Sequence, residues 1–346
     1  MANFMSDNCS GISPEVMQAL ITCNEKAIPS YGSDDYTAKA KKLFSELFET
    51  PVTTVFVATG TAANCLALSL FTPSYGAILC HSHSHIYADE YGAPGLFTGG
   101  AQLITVEGKH GKIEPDLLTG ALRQASTQLI KPTILSLSQA SESGTVYNVS
   151  EIAALTGIAK KNGLKVHMDG ARFANALAHT GCSPAEMTWK LGVDVLSFGG
   201  TKNGCLAAEA VIVFNDSRPL RDELQLRRKK SGHTLSKMRF ISSQFIAYLQ
   251  EGLWLQNASH ANSMARYLAE TIKEAAGLIP LHPVEANEVF IMLPPDVAQR
   301  IQESGHQFFD WYDGSYRFVT SCATTKEDVI TLIHSLENCY AELQGI

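Results

Sequence analysis

Apolar and polar positions fall into two textures along this chain. Up to about residue 220, short apolar runs rich in β-branched residues alternate with stretches of helical periodicity. The runs VTTVFVA (52–58), AILC (77–80), QLITV (102–106), TILSL (133–137), LKVHM (164–168), VDVLSF (193–198) and EAVIVF (209–214) are nearly continuous, not alternating. A strand buried on both faces requires that pattern, so the runs predict a parallel sheet covered by helices. TAANCLALSLF (61–71), PDLLTGALRQA (115–125) and SEIAALTGIAKKNG (150–163) predict helices between them. The fold class is α/β, a seven-stranded and mostly parallel sheet with helices on both sides. Beyond residue 220 a basic stretch, LRRKKSGHTLSKMR (226–239), leads into one long helix running through Leu255. VFIMLP (289–294) and YRFVTS (316–321) then supply the strands of a smaller C-terminal α+β unit. The expected organisation is an N-terminal segment over 1–30 that contributes to the site, a large α/β domain over 31–240 and a small domain over 241–346.

Composition narrows the function classes. With 346 residues, 45% hydrophobic and 18% charged, the chain reads as an ordinary globular protein of two domains. A formal charge of −7 argues against nucleic acid or an anionic membrane as partner. No apolar run reaches the roughly 18–20 residues that span a bilayer. The N-terminus, MANFMSDNCSG, lacks a basic region followed by an apolar one, so no signal peptide is expected. Eight cysteines form no C-x-x-C pair and mostly sit in apolar runs. They read as free thiols in a reducing cytoplasm.

Four motifs carry candidate chemistry. Ala58-Thr59-Gly60-Thr61-Ala62-Ala63-Asn64 sits where a strand turns into a helix, so Gly60, Thr61 and Ala62 can cup a phosphate with backbone N–H groups. The same residues also read as a plain strand–helix turn with Thr61 as its cap. His167-Met168-Asp169-Gly170-Ala171-Arg172 ends the strand LKVHM, where catalytic groups of open α/β sheets gather. An Asp there can pair with a protonated pyridine nitrogen, and Arg172 offers a planar fork to a carboxylate. An Asp–Arg ion pair of purely structural purpose is the plainer reading. Ser197-Phe198-Gly199-Gly200-Thr201-Lys202-Asn203-Gly204 places a lysine between apolar segments. A depressed pKa is expected there, as an imine-forming amine needs. The fourth motif is His81-Ser82-His83-Ser84-His85, followed by Glu90. Three alternating histidines on one strand face would suit a metal, and a metal-dependent hydrolase with Glu90 activating water is the alternative from another class. An imidazole stacked on a flat cofactor ring, with His85 in that place, is the reading preferred, with no metal.

In order and spacing, these motifs resemble the low-specificity L-threonine aldolase family of fold type I pyridoxal phosphate (PLP) enzymes. The resemblance begins at Ser6-Asp7-Asn8 and Tyr31-Gly32-Ser33-Asp34. It runs through GTAAN, SHIYADE, SESGTV, VHMDGAR and SFGGTK, and ends at SYRFVTS with Arg317. It implies that Lys202 forms the Schiff base, Asp169 pairs with the pyridine nitrogen and His85 stacks on the ring. Gly60, Thr61 and Ala62 would hold the phosphate, with Arg172 also beside the cofactor. Ser6, Arg172 and Arg317 would hold the carboxylate of an amino-acid substrate. A homo-oligomeric dimer of dimers is implied, in which Tyr31, Arg228 and Lys237 reach a neighbour's site. For the basic run, a solvated charged face is the plainer reading.

Two departures stand out. Many family members carry a histidine shortly before the turn aligned on Ser143-Gly144, associated with the substrate hydroxyl. Here the segment is Ser138-Gln139-Ala140-Ser141-Glu142. The familiar SKG around the lysine is Thr201-Lys202-Asn203, which with the first departure fits a phenylserine-accepting branch. The implied activity is cleavage of L-threonine, L-allo-threonine and related β-hydroxy-α-amino acids to glycine and an aldehyde. His85 or a water ordered by the phosphate is expected to take the β-hydroxyl proton. β-Elimination or transamination on the same scaffold is the nearest alternative.

Overall fold

The computed structural model describes residues 3–214 and 217–344. Seven strands form the main sheet: β1 (Thr53–Val57), β2 (Gly76–Cys80), β3 (Gln102–Thr105), β4 (Lys131–Ser138), β5 (Lys165–Gly170), β6 (Val195–Gly199) and β7 (Glu209–Val213). Each coincides with one of the seven apolar runs. Every residue of β1, β2, β6 and β7 is buried, which is why those runs show no alternation. Only β3, at the sheet's edge, is mostly half-exposed.

The order β1-β7-β6-β5-β4-β2-β3 decides where the motifs meet. Strands β3, β2, β4, β5 and β6 are parallel, whereas β7 is antiparallel to both of its neighbours, β6 and β1. Two reversals return β1 to the direction of β6. The carboxyl ends of β1, β2, β5 and β6 therefore open at one edge of the sheet, and the four motifs follow those four ends.

Past β7 the structure departs from the pattern. The single long helix expected through Leu255 is three helices, Arg218–Lys230, Arg239–Leu249 and Leu253–Ala276. The chain breaks between the last two, where Glu251 (φ 55°) and Gly252 (φ 72°) adopt the left-handed region that ends a helix. A three-stranded sheet follows, ordered β8 (Glu288–Ile291), β10 (Tyr316–Val319), β9 (Phe309–Asp310). β9 has two exposed residues and no pattern to announce it. The Leu253–Ala276 helix joins two cores, with Trp254 and Ala258 in the large one and Ala265, Leu268 and Ile272 in the small one. Phe4 is buried in the small core, and its carbonyl accepts from Val319 N–H at 2.8 Å. This ties the N-terminal segment to β10. Among the described residues Cys9, Cys23, Cys65, Cys80, Cys182, Cys205 and Cys322 form no disulfide. Among the described residues no helix is long and apolar enough to cross a membrane.

Candidate active site

A cavity of about 300 Å³ opens at that sheet edge and brings together Gly60, Thr61, His85, Asp169 and Lys202. Asp169 is the best-supported group in it. One carboxylate oxygen, Oδ2, accepts from Asn64 Nδ2 at 2.8 Å, and the other accepts from Ala171 N–H at 3.1 Å. Asn64 lies one turn into the helix Gly60–Phe71 and also donates to Glu90 at 2.9 Å. Beneath Asp169, His167 is bound between Ser136 Oγ (2.8 Å) and Ser197 Oγ (2.9 Å). Burial pushes that imidazole down to about 4, so it is neutral and structural at ordinary pH.

The histidine run is not a strand face. After β2 the chain turns at His81–His83, and His85 begins a short helix. Both His81 nitrogens meet backbone, Nε2 at Gly108 O (3.2 Å) and Nδ1 at His83 N (3.0 Å). Among the described residues no group of three or more His, Cys, Asp or Glu is placed to hold a metal ion. The metal-hydrolase alternative loses its geometry. Glu90, offered there as a water activator, is instead the buried partner of His85 Nδ1 at 2.9 Å. That hydrogen bond raises the His85 pKa, burial opposing it.

At the phosphate cup, Thr59 caps the helix, not Thr61. Its hydroxyl accepts from Ala62 N–H at 3.2 Å. The N–H of Ala62 is thus engaged, and Ala62 is not among the cavity-lining residues. Gly60 and Thr61 are, and they open a 12-residue helix whose first amides have no intrahelical acceptor. Glu209 is the neighbour that sequence reading missed. Its carboxylate is fully buried, accepts from the Thr201 hydroxyl, and lines the same cavity. Burial lifts it to about 7.

Lys202 follows β6 on a single turn of 3-10 helix and is half-buried in the cavity wall. The departure from SKG has a structural reason. Asn203 donates to Tyr248 Oη (2.7 Å) and to Trp254 O (2.8 Å), pinning the lysine turn to the two helices behind it. Gly204 at φ 103° is obligatory, since a Cβ there would collide with Ser13 Oγ.

The residues expected to hold a carboxylate form a second cluster. Arg172 is buried and doubly bound to Asp7, Nε at 2.7 Å and Nη2 at 3.1 Å. Burial alone would push the Asp7 carboxyl up, but the charges of Arg172 and Lys202 and hydrogen bonds from Arg172 and Asn287 bring it below its ordinary value. The structural Asp–Arg pair is real, and its acid is Asp7. Glu288, on β8, faces Arg172 Nη2 at 3.4 Å and Arg317 Nη1 at 3.6 Å. Among the described residues neither of its oxygens has a hydrogen bond, and burial holds its pKa up against both arginines. Arg317 lies over the rings of Trp311 (4.6 Å) and Phe309 (5.3 Å). Ser6 caps the turn Asp7–Cys9 by accepting from Asn8 N–H; Asn8, not Ser6, lines the cavity.

None of the three residues expected to cross to a neighbour enters the chain's own cavity. Tyr31 is 60% exposed and its N–H bonds Ser236 O at 2.8 Å, which sets it beside exposed Lys237. Arg228 is buried on its helix, with Nη2 on Gln225 at 2.8 Å.

Comparison with known proteins agrees with this geometry. The β-eliminating lyase family model matches residues 3–294. A low-specificity L-threonine aldolase of Pseudomonas aeruginosa is 42% identical over 335 residues, 96% of each chain. The chain belongs to the low-specificity L-threonine aldolase family. A second member, from a Pseudomonas species, is 40% identical over 94% of each chain. A solved threonine aldolase of Leishmania major superposes with a TM-score of 0.90 at 26% identity, covering 98% of this chain and 99% of its own. The fold is that of fold type I PLP enzymes, and PLP is the aldolase family's cofactor. The residues present fit that group. An amine, a carboxylate held by two donors with acceptor capacity to spare, an imidazole and a helix N-terminus share one cavity.

Proposed function

We propose that the protein cleaves L-threonine, L-allo-threonine and related β-hydroxy-α-amino acids, phenylserine included, to glycine and an aldehyde. One observation carries the reading: Lys202, Asp169 and His85 line a single cavity in a chain so similar to a low-specificity L-threonine aldolase. Bound PLP supplies a conjugated ring that accepts the electron pair of a bond broken at Cα. Lys202 is the amine that holds it. Asp169, oriented by Asn64 and Ala171, would pair with the ring nitrogen and hold a proton there. His85, whose Nδ1 is held by Glu90, would stack on the ring. Gly60 and Thr61 offer the phosphate two free amides.

Arg172 and Arg317 would fix the substrate carboxylate and so orient Cα–Cβ as the bond that breaks. The protein works as a cytoplasmic dimer of dimers, with Tyr31 and Lys237 completing a neighbour's site. Exposed Tyr91 (98%) and Leu96 (80%) support such an interface, and light scattering tests it. Purified enzyme with L-threonine and L-allo-threonine should release acetaldehyde and glycine. Ammonia or a 2-oxo acid as the main product would instead mean β-elimination or transamination.

A further inference from the structure

Breaking Cα–Cβ requires that the β-hydroxyl lose its proton as the aldehyde forms. Four of the cavity's acid–base groups are engaged elsewhere. Lys202 is committed to the imine, Asp169 to Asn64 and Ala171, Glu209 to Thr201, and His85 to Glu90. Glu142 is the fifth. It lines the same cavity, half-buried, and among the described residues its carboxylate has no hydrogen bond or ion pair. Its charge is felt at His85, Arg172, Glu288 and Tyr312. It therefore lies in the His85 cavity and within electrostatic reach of Arg172.

The turn that carries Glu142 is unusually well fixed. Ser141 N–H donates to Thr145 O at 2.9 Å, and Gly144 N–H returns to Ser141 O at 3.0 Å. The Ser141 hydroxyl meets Thr145 Oγ1 at 2.7 Å, and Thr145 Oγ1 donates to His110 O at 2.7 Å. Gly144, at φ 72°, lets the turn close onto β8, where a Cβ would come within 2.9 Å of Glu288 O. Ala286 N–H then bonds Gly144 O at 3.0 Å. The Ser141 and Thr145 hydroxyls and the Gly144 backbone are thus tied down, which fixes the turn beneath a Glu142 carboxylate that itself has no hydrogen bond among the described residues.

We propose that Glu142 is the base that takes the β-hydroxyl proton; this rests on the aldolase reading above. The proton passes to a Glu142 oxygen, the O–H pair becomes the second bond of the new carbonyl, and Cα–Cβ breaks with its pair left on Cα. The aldehyde departs, a proton later returns to Cα, and Glu142 loses its own to solvent. In the reverse direction Glu142 protonates the new alkoxide.

Glycine has no β-hydroxyl, so exchange of its α-proton with D2O bypasses this step. In the PLP-loaded enzyme, Glu142→Gln should lower kcat for L-threonine and phenylserine cleavage roughly 10²–10⁴-fold. Glycine α-proton exchange should stay within a fewfold, and PLP titration by visible absorbance should be unaltered. Glu142→Asp should recover part of the cleavage rate. Retained cleavage in Glu142→Gln overturns the proposal, as does an equal loss of cleavage and exchange, which would mean a structural role through Arg172 or His85. Should Glu142→Gln not fold, Glu142→Asp carries the test: selective loss of cleavage supports it and wild-type rates overturn it. Wild-type enzyme that cleaves neither substrate would sink the aldolase reading itself.

Discussion

The ring end of the cavity and the arginine cluster, the expected carboxylate end, are built differently. At the ring end, Asp169 has a donor on each oxygen, His85 has Glu90, and His167 below has a serine on each nitrogen. Such an end is set in one geometry before any ligand arrives. At the carboxylate end, Asp7, Glu288 and Arg172 are buried with Arg317 half-buried against them, and Glu288 Oε1 faces both guanidiniums only at 3.4 and 3.6 Å, without a hydrogen bond among the described residues. That end holds one internal carboxylate against the same two arginines assigned to the substrate's. At the ring end the Asp169 carboxylate and both imidazoles have hydrogen-bond partners; at the carboxylate end the Glu288 carboxylate has none among the described residues.

The strongest test of this contrast is Asp7→Ala, which leaves the buried Arg172 without its bidentate partner. Breaking a buried pair from one side costs about 3–5 kcal/mol, read as a lower urea midpoint. A loss below about 1 kcal/mol would mean that this end is not knit through Asp7. At the ring end, Asp169→Ala should lower kcat roughly 10²–10³-fold with the fold retained, by removing a preorganised charge. Comparable stability loss in that variant would blur the contrast.

His167 gives the ring end a pH signature. Burial holds its folded value at about 4, below the ordinary 6.5. As pH falls through 6.5 the unfolded chain takes a proton that the folded protein refuses. Stability is therefore full above that pH and is lost on descent toward pH 4, by about 3 kcal/mol. His167→Gln should flatten this part of the urea-midpoint profile; an unchanged slope would place the titration elsewhere. The smallest effect is expected for Arg317→Leu. It should raise KM about 10–100-fold, as the loss of a charged hydrogen bond does, with kcat within a fewfold. Lower kcat at unchanged KM would contradict a carboxylate role.

The same contrast governs what the chain made legible. The ring end follows strand ends, and each apolar run announced its strand, so Asp169, Lys202, His85 and Gly60 were readable from order and spacing. Their partners Asn64 and Glu90 lay inside the same motifs but needed the helix phase to show which way they point. Glu209 joins the cavity, and Asp7 and Glu288 join the arginine cluster, from distant parts of the chain, and no local spacing announces them. The break after Leu249 had a signal in Glu251-Gly252, a glycine placed where a helix ends, outweighed by the apolar periodicity on both sides.

The central claim is that Lys202 carries the cofactor. Reducing the PLP-loaded enzyme with borohydride and mapping its peptides tests it most directly. The account predicts a single pyridoxyl label on Lys202, with visible absorbance lost in Lys202→Ala. Label on any other lysine, or unchanged absorbance in that variant, would contradict it.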